Sequence, residues 1–176
     1  AGAAPVDGAP PTGRSALELE ILAVVESYFD YLSGAAPGRP AAVREQAVFW
    51  MGEARGRRGY ETLRRLLRGP DDGEFREQVV FALSVSVVPE ATDTLIETAR
   101  SDRDRDVRGQ SLFWLAQKAG QNAKAAITRA IEDDPDTEVK KKAVFALSEM
   151  EDGVPLLIQV ARTNRNPAVR EQAFFW

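Results

Sequence analysis

Residues 43–50 read VREQAVFW, and residues 169–176 read VREQAFFW. Eight letters returning almost unchanged point to how the chain is built before they point to chemistry, since a catalytic segment has little use for a second copy. Three weaker versions lie between them: FREQVVFAL from Phe75, VRGQSLFWL from Val107 and VKKKAVFAL from Val139. From the anchors Val43, Phe75, Val107, Val139 and Val169, the spacings are 32, 32, 32 and 30 residues. That period lies in the range of two-helix solenoid repeats.

The segments between the anchors complete each unit. A first helix ends in a polar, acidic turn, and the echoed phrase forms the second helix, as in PEATDTLIETAR, SDRD and RDVRGQSLFWLAQK. Three residues before the last four anchors stand Asp72, Asp104, Asp136 and Asn166, whose side-chain oxygens suit the unpaired amides of a starting helix. Pro167 follows Asn166 at the favoured first helical position. First helices are expected over 16–32, 58–68, 89–101, 121–132 and 153–163. Second helices are expected over 41–54, 73–85, 105–118, 137–149 and 167–176. The first pair differs, because GAAPGRPA at 33–40 replaces the short acidic turn, and terminal repeats commonly depart from the rest. Residues 1–15 are rich in Ala, Gly and Pro without a period and read as a flexible tail or linker ahead of a domain over 16–176. No initiating Met stands before them, and the compartment leans toward export.

The acidic turn, the Val-Arg start and the apolar residues after it resemble the HEAT repeat family, in particular bacterial HEAT-like repeats of the kind found in phycobilin lyases. The resemblance implies an all-α, right-handed solenoid of about five two-helix repeats, with second helices on the concave side. It also implies a ladder in which turn acids pair with basic residues of neighbouring repeats. Asp102 and Asp134 lie five residues before their anchors, Asn164 replaces the acid in the last repeat, and Pro70 replaces it in the second. The basic partners would be Arg44, Arg76, Arg108, Lys140 and Arg170, in a structural role.

At about 100° per residue, the anchor and the residues four, seven and eight beyond it share one helix face. Seven beyond, the series runs Trp50, Ala82, Trp114, Ala146, Trp176. Large and small residues in alternation let layers interlock, so this series is expected in the core. Six beyond, every repeat carries Phe: Phe49, Phe81, Phe113, Phe145 and Phe175. That wheel position is roughly 140° from the buried centre. Packing between adjacent second helices, edge to face, is one reading of the column. A stripe for a protein partner is the other, bordered by Gln46, Gln78, Gln110 and Gln172 and by Glu45, Glu77 and Glu171.

Several chemistries are closed off by composition. The chain has no cysteine and no histidine, which removes thiol nucleophiles, histidine bases and Cys/His zinc sites. Its longest apolar runs, such as ILAVV at 21–25, are five residues, far short of the roughly 20 of a membrane helix. DRDRD at 102–106 imitates a calcium loop, but Val107 and Phe113 stand where that loop needs Gly and an acid. GEARGRRG at 52–59 lacks the ending of a phosphate loop. Arg55, Arg57, Arg58, Arg64, Arg65 and Arg68, opposed by Glu61, form a basic cluster that could hold phosphate or an acidic partner. The pI near 5.1 argues against nucleic acid as the partner.

The expected function is therefore a non-enzymatic scaffold for a protein partner, with no cofactor, metal or catalytic residue. Pigment or cofactor handling, by analogy with the lyases, is the alternative; backbone binding of nucleic acid through the arginine cluster is a weaker one. The apolar Phe174, Phe175 and Trp176 raise the further expectation that the parent polypeptide is longer or that this end associates.

Overall fold

The computed structural model describes residues 41–69, 73–118 and 120–176, with the side chains of residues 41–43 also left undescribed. The tail over 1–15, the helix expected over 16–32, and Pro70 and Asp72 lie outside the described residues. Among those described, the chain forms nine helices and no strand. They are α1 Ala41–Ala54, α2 Gly56–Leu67, α3 Gly73–Val85, α4 Glu90–Ser101, α5 Arg105–Lys118, α6 Gln121–Asp133, α7 Thr137–Ser148, α8 Val154–Thr163 and α9 Pro167–Phe175. The second helices α1, α3, α5, α7 and α9 pack in a row, each against the next. The first helices α2, α4, α6 and α8 form the other layer, with contact between α4 and α6.

The second helices α5, α7 and α9 begin where their turns can satisfy them. Asp104 Oδ1 accepts from the Asp106 amide at 2.8 Å, Asp136 Oδ1 from Glu138 at 2.8 Å and Asn166 Oδ1 from Ala168 at 3.0 Å. Two residues earlier the motif repeats: Asp102, Asp134 and Asn164 accept from the amides of Asp104, Asp136 and Asn166. These paired turns reverse the chain within a few residues and fill amides that a helix start leaves unpaired. The amide of Glu138 holds the Asp136 carboxyl below its ordinary pKa. Between α1 and α2 the reversal takes one residue, Arg55, followed by Gly56 at φ 47°, a left-handed conformation that costs glycine little.

The core lies between the two layers. Val79, Val80, Leu83, Leu95, Leu112, Leu115, Ile127, Val144 and Leu147 are shielded completely. Where α1 meets α3, the backbones themselves touch. A methyl group on Gly52 would lie 2.1 Å from the Ala82 carbonyl oxygen, so the small pair Gly52 and Ala82 sets the spacing of these helices.

The polar ladder forms where both its partners are present. Arg76 donates from Nη2 to Asp102 Oδ1 at 3.0 Å. Arg108 grips Asp134 through Nε at 2.8 Å and Nη2 at 3.1 Å, while its Nη1 holds the Asp102 carbonyl at 2.9 Å. Asp134 keeps the Arg108 pKa above its ordinary value. At the next step Lys140 does not reach across the repeat boundary as expected. Its ammonium donates to the Glu132 carbonyl at 2.7 Å, because Asn164 offers no carboxylate. Asn164 and Asn166 bridge that boundary instead, donating to Glu132 Oε1 and Thr137 Oγ1. Arg44, whose acid would stand at Pro70, lies over the Phe75 ring, 3.8 Å from its centroid.

Candidate functional site

The phenylalanine column lies at the surface seam of the second-helix row. Phe49, Phe81, Phe113 and Phe145 are half-buried and Phe175 is 76% exposed. The wheel placed these side chains nearly opposite the core of their own helix. Neighbouring second helices pack close enough to cover one side of each ring and leave the other open.

Two expectations about the aromatics are corrected by this geometry. The tryptophans are not enclosed in the core, although Trp50 and Trp114 pack against it. Trp50 and Trp114 are only partly buried and Trp176 is 50% exposed; an indole is too large to fit under the seam where Ala82 and Ala146 are shielded completely. The phenylalanines also do not stack edge to face with one another. Phe49 and Phe81 lie 5.9 Å apart at 21°, and Phe113 and Phe145 lie 6.1 Å apart at 3°. Edge contacts occur between each Phe and the Trp beside it: Phe49 with Trp50, Phe113 with Trp114, Phe175 with Trp176.

Together the rings form one strip with a two-repeat period. In an odd repeat, the first, third or fifth, Phe and Trp are adjacent; in an even repeat, Phe is followed by Ala. The Phe of the first and third repeats stacks flat on the Phe of the following even repeat. Each even Phe is met by the Trp of the next odd repeat, Phe81 by Trp114 at 4.9 Å and Phe145 by Trp176 at 4.9 Å. Such pairs add about 0.5–1.5 kcal/mol each beyond area burial, so the strip ties successive repeats together while keeping an open apolar face.

Gln78, Gln110 and Gln172 are half-buried beside the strip, and Gln46 and Glu45 are exposed. In the fourth repeat the glutamine position is Lys142, which donates to Asp106 at 2.6 Å. Its stem crosses Gly109, where a methyl group would lie 2.3 Å from Lys142 Cδ. The Lys142 ammonium lowers the Asp106 pKa. Burial raises that of the nearby Glu77, with Asp106 adding to the effect. The border is therefore part amide and part charged.

The arginine cluster is divided among several settings. Arg57 pairs with Glu90 on α4 at 2.6 Å and lies near the Tyr60 ring. Arg65 donates to Thr62, Arg58 is exposed, and Arg55 is half-buried at the α1–α2 junction. Arg64 and Arg68 border a groove of about 220 Å³ between α2 and α4, shared with Arg76, Arg103, Glu97 and Asp102. Arg76 there is committed to Asp102.

The HEAT repeats profile matches residues 32–116 and 92–174, which together span most of the chain. The chain belongs to the HEAT repeat family. HEAT repeats are generally scaffolds for protein interaction and typically not enzymes. No curated protein matches the chain, and the likeness to phycobilin lyases goes no further than the sequence resemblance. Among the described residues, no helix of this HEAT array is long and apolar enough to cross a membrane.

The part of this surface that the sequence reading missed is Trp50, Trp114 and Trp176. The alternation with Ala is visible in the sequence, but the helix wheel of one isolated helix sets it on the core face. The usable signal was that each Trp directly follows a Phe, so that the two side chains lie about 100° apart on the helix and border the same seam.

Proposed function

We propose that this HEAT array is a non-enzymatic scaffold that binds a protein partner along the outward face of its second-helix row, through the aromatic strip and its glutamine border. The observation that carries this reading is the half-burial of Phe49, Phe81, Phe113 and Phe145 in one continuous run with the tryptophans. An apolar strip with polar edges, held rigid by stacking, offers contact area at small entropic cost, and aromatic anchors dominate binding energy at protein interfaces. The nucleophile–base pairing that chemistry would need has no counterpart in the strip, and the acidic balance of the chain disfavours a nucleic-acid backbone.

Photo-crosslinking distinguishes this face from the rest of the array. With benzoylphenylalanine at Gln78 or Gln110 in turn, a common partner band is expected, lost on adding Phe81→Ala and Phe113→Ala. With the same probe at Thr128 or Gln159 on the first-helix layer, that band should be absent. Equal crosslinking from both layers would contradict the assignment of the face.

A further inference from the structure

The last repeat ends on an apolar face in which Phe174 and Phe175 are each 76% exposed, and Trp176, Ile158 and Val154 about half or more. All of these except Phe175 line a groove of about 400 Å³ between α8 and α9. Two independent features of this face state what would cover it. The first is the phase of the aromatic strip. Trp176 already meets Phe145 at a tilt as Trp114 meets Phe81, which makes this an odd repeat. The outer side of Phe175 therefore matches the side of Phe113 that lies flat against Phe145. What fits there is a Phe followed by a small residue.

The second feature is Arg170. Its Nη1 donates to the carbonyl of Asn164, six residues back, at 2.9 Å, as Arg108 Nη1 donates to the carbonyl of Asp102, six residues back. In Arg108 the remaining edge, Nε and Nη2, receives the Asp134 carboxylate of the next repeat. In Arg170 that edge has no partner among the described residues, and a two-pronged donor of this shape matches a carboxylate.

The geometry points to an end-on docking site for one further HEAT-like repeat of the even kind, carrying an aspartate in its turn and a Phe-small pair in its second helix. A second copy of this chain does not meet those terms. Meeting end to end through the same face, it would set Arg170 against Arg170; through its first repeat, it would bring the Phe49–Trp50 pair of an odd repeat where a Phe followed by a small residue fits.

The test extends the full chain with its own material. A copy of residues 115–150 placed after Trp176 keeps register, because Trp176 stands where Trp114 does, and it supplies the Asp134, Phe145 and Ala146 equivalents. A copy of residues 83–118 is the odd-kind control, bringing the Phe113–Trp114 pair. The even-kind extension should raise the folding equilibrium constant, read from urea unfolding, by about 100-fold or more, in one cooperative transition. The odd-kind extension should raise it at least about tenfold less. Arg170→Met and Phe175→Ala should each cost about tenfold or more in the extended chain, and under about threefold in the chain ending at Trp176.

Three results would overturn the proposal. One is an even-kind extension that leaves the equilibrium constant unchanged or unfolds on its own. Another is equal gain from both kinds. The third is self-association of the chain ending at Trp176, seen in sedimentation and abolished by Phe175→Ala, which would assign the face to a second copy.

Discussion

Asp134→Ala should destabilise the array by about 3–5 kcal/mol in urea unfolding, the cost of leaving a buried charge without its partner. The Arg108 and Asp134 side chains are 11% and 4% exposed, so water cannot replace the lost carboxylate around the guanidinium. The same change removes the acceptor for the Asp136 amide, which adds to the loss. Replacing both members, with Arg108→Met and Asp134→Leu, should recover part of the loss, because no charge is then left buried, while the Asp136 amide and the Asp102 carbonyl stay without their partners. The last repeat boundary already shows such a joint departure, with Lys140 and Asn164 in place of the two charged members. A loss below about 1 kcal/mol for Asp134→Ala would mean that the rung is solvated, as surface ion pairs are.

Gly52→Ala should cost about 3 kcal/mol, at the upper end for over-packing. The added methyl meets the carbonyl and carbon of Ala82 at 2.1 and 2.8 Å, and backbone cannot rotate away as a side chain does. Relief requires α1 to move off α3, which also parts Phe49 from Phe81. Loss of cooperativity at the N-terminal end of the unfolding transition should accompany the shift in midpoint. A Gly52→Ala chain as stable as the parent would show that α1 sits farther from α3 than described.

Most of the architecture was legible because it repeats. The 32-residue period, with Asp104, Asp136 and Asn166 at a constant offset, located every described helix to within two residues. Periodicity also placed the ladder, since Arg76 with Asp102 and Arg108 with Asp134 are the same pair one repeat apart. Contacts between helices were less legible. A wheel describes one helix in isolation, and it put Trp114 inside and Phe113 outside. In the packed row both rings border a seam, because the adjacent helix covers part of the face that the wheel leaves open. The division of the arginines likewise depends on neighbours: Arg57 finds Glu90 33 residues away, a contact that no local pattern displays. The phase of the strip needed ring orientations, since alternation of Trp with Ala does not reveal which ring lies flat on which.

The claim that the aromatic strip packs the repeats and also presents an open face is tested most directly by urea unfolding of the five single Phe→Ala variants. Half-buried rings predict losses between the surface and core ranges, about 2 kcal/mol for Phe81, Phe113 and Phe145. Phe81 and Phe145 should cost the most, as each touches rings of both neighbouring repeats, whereas Phe113 touches only Phe145 outside its own repeat. Phe175 should stay within about 0.5 kcal/mol. Negligible losses at all five positions would contradict the packing role, and losses of about 3–5 kcal/mol at every central position would place the rings in the core, leaving no face for a partner.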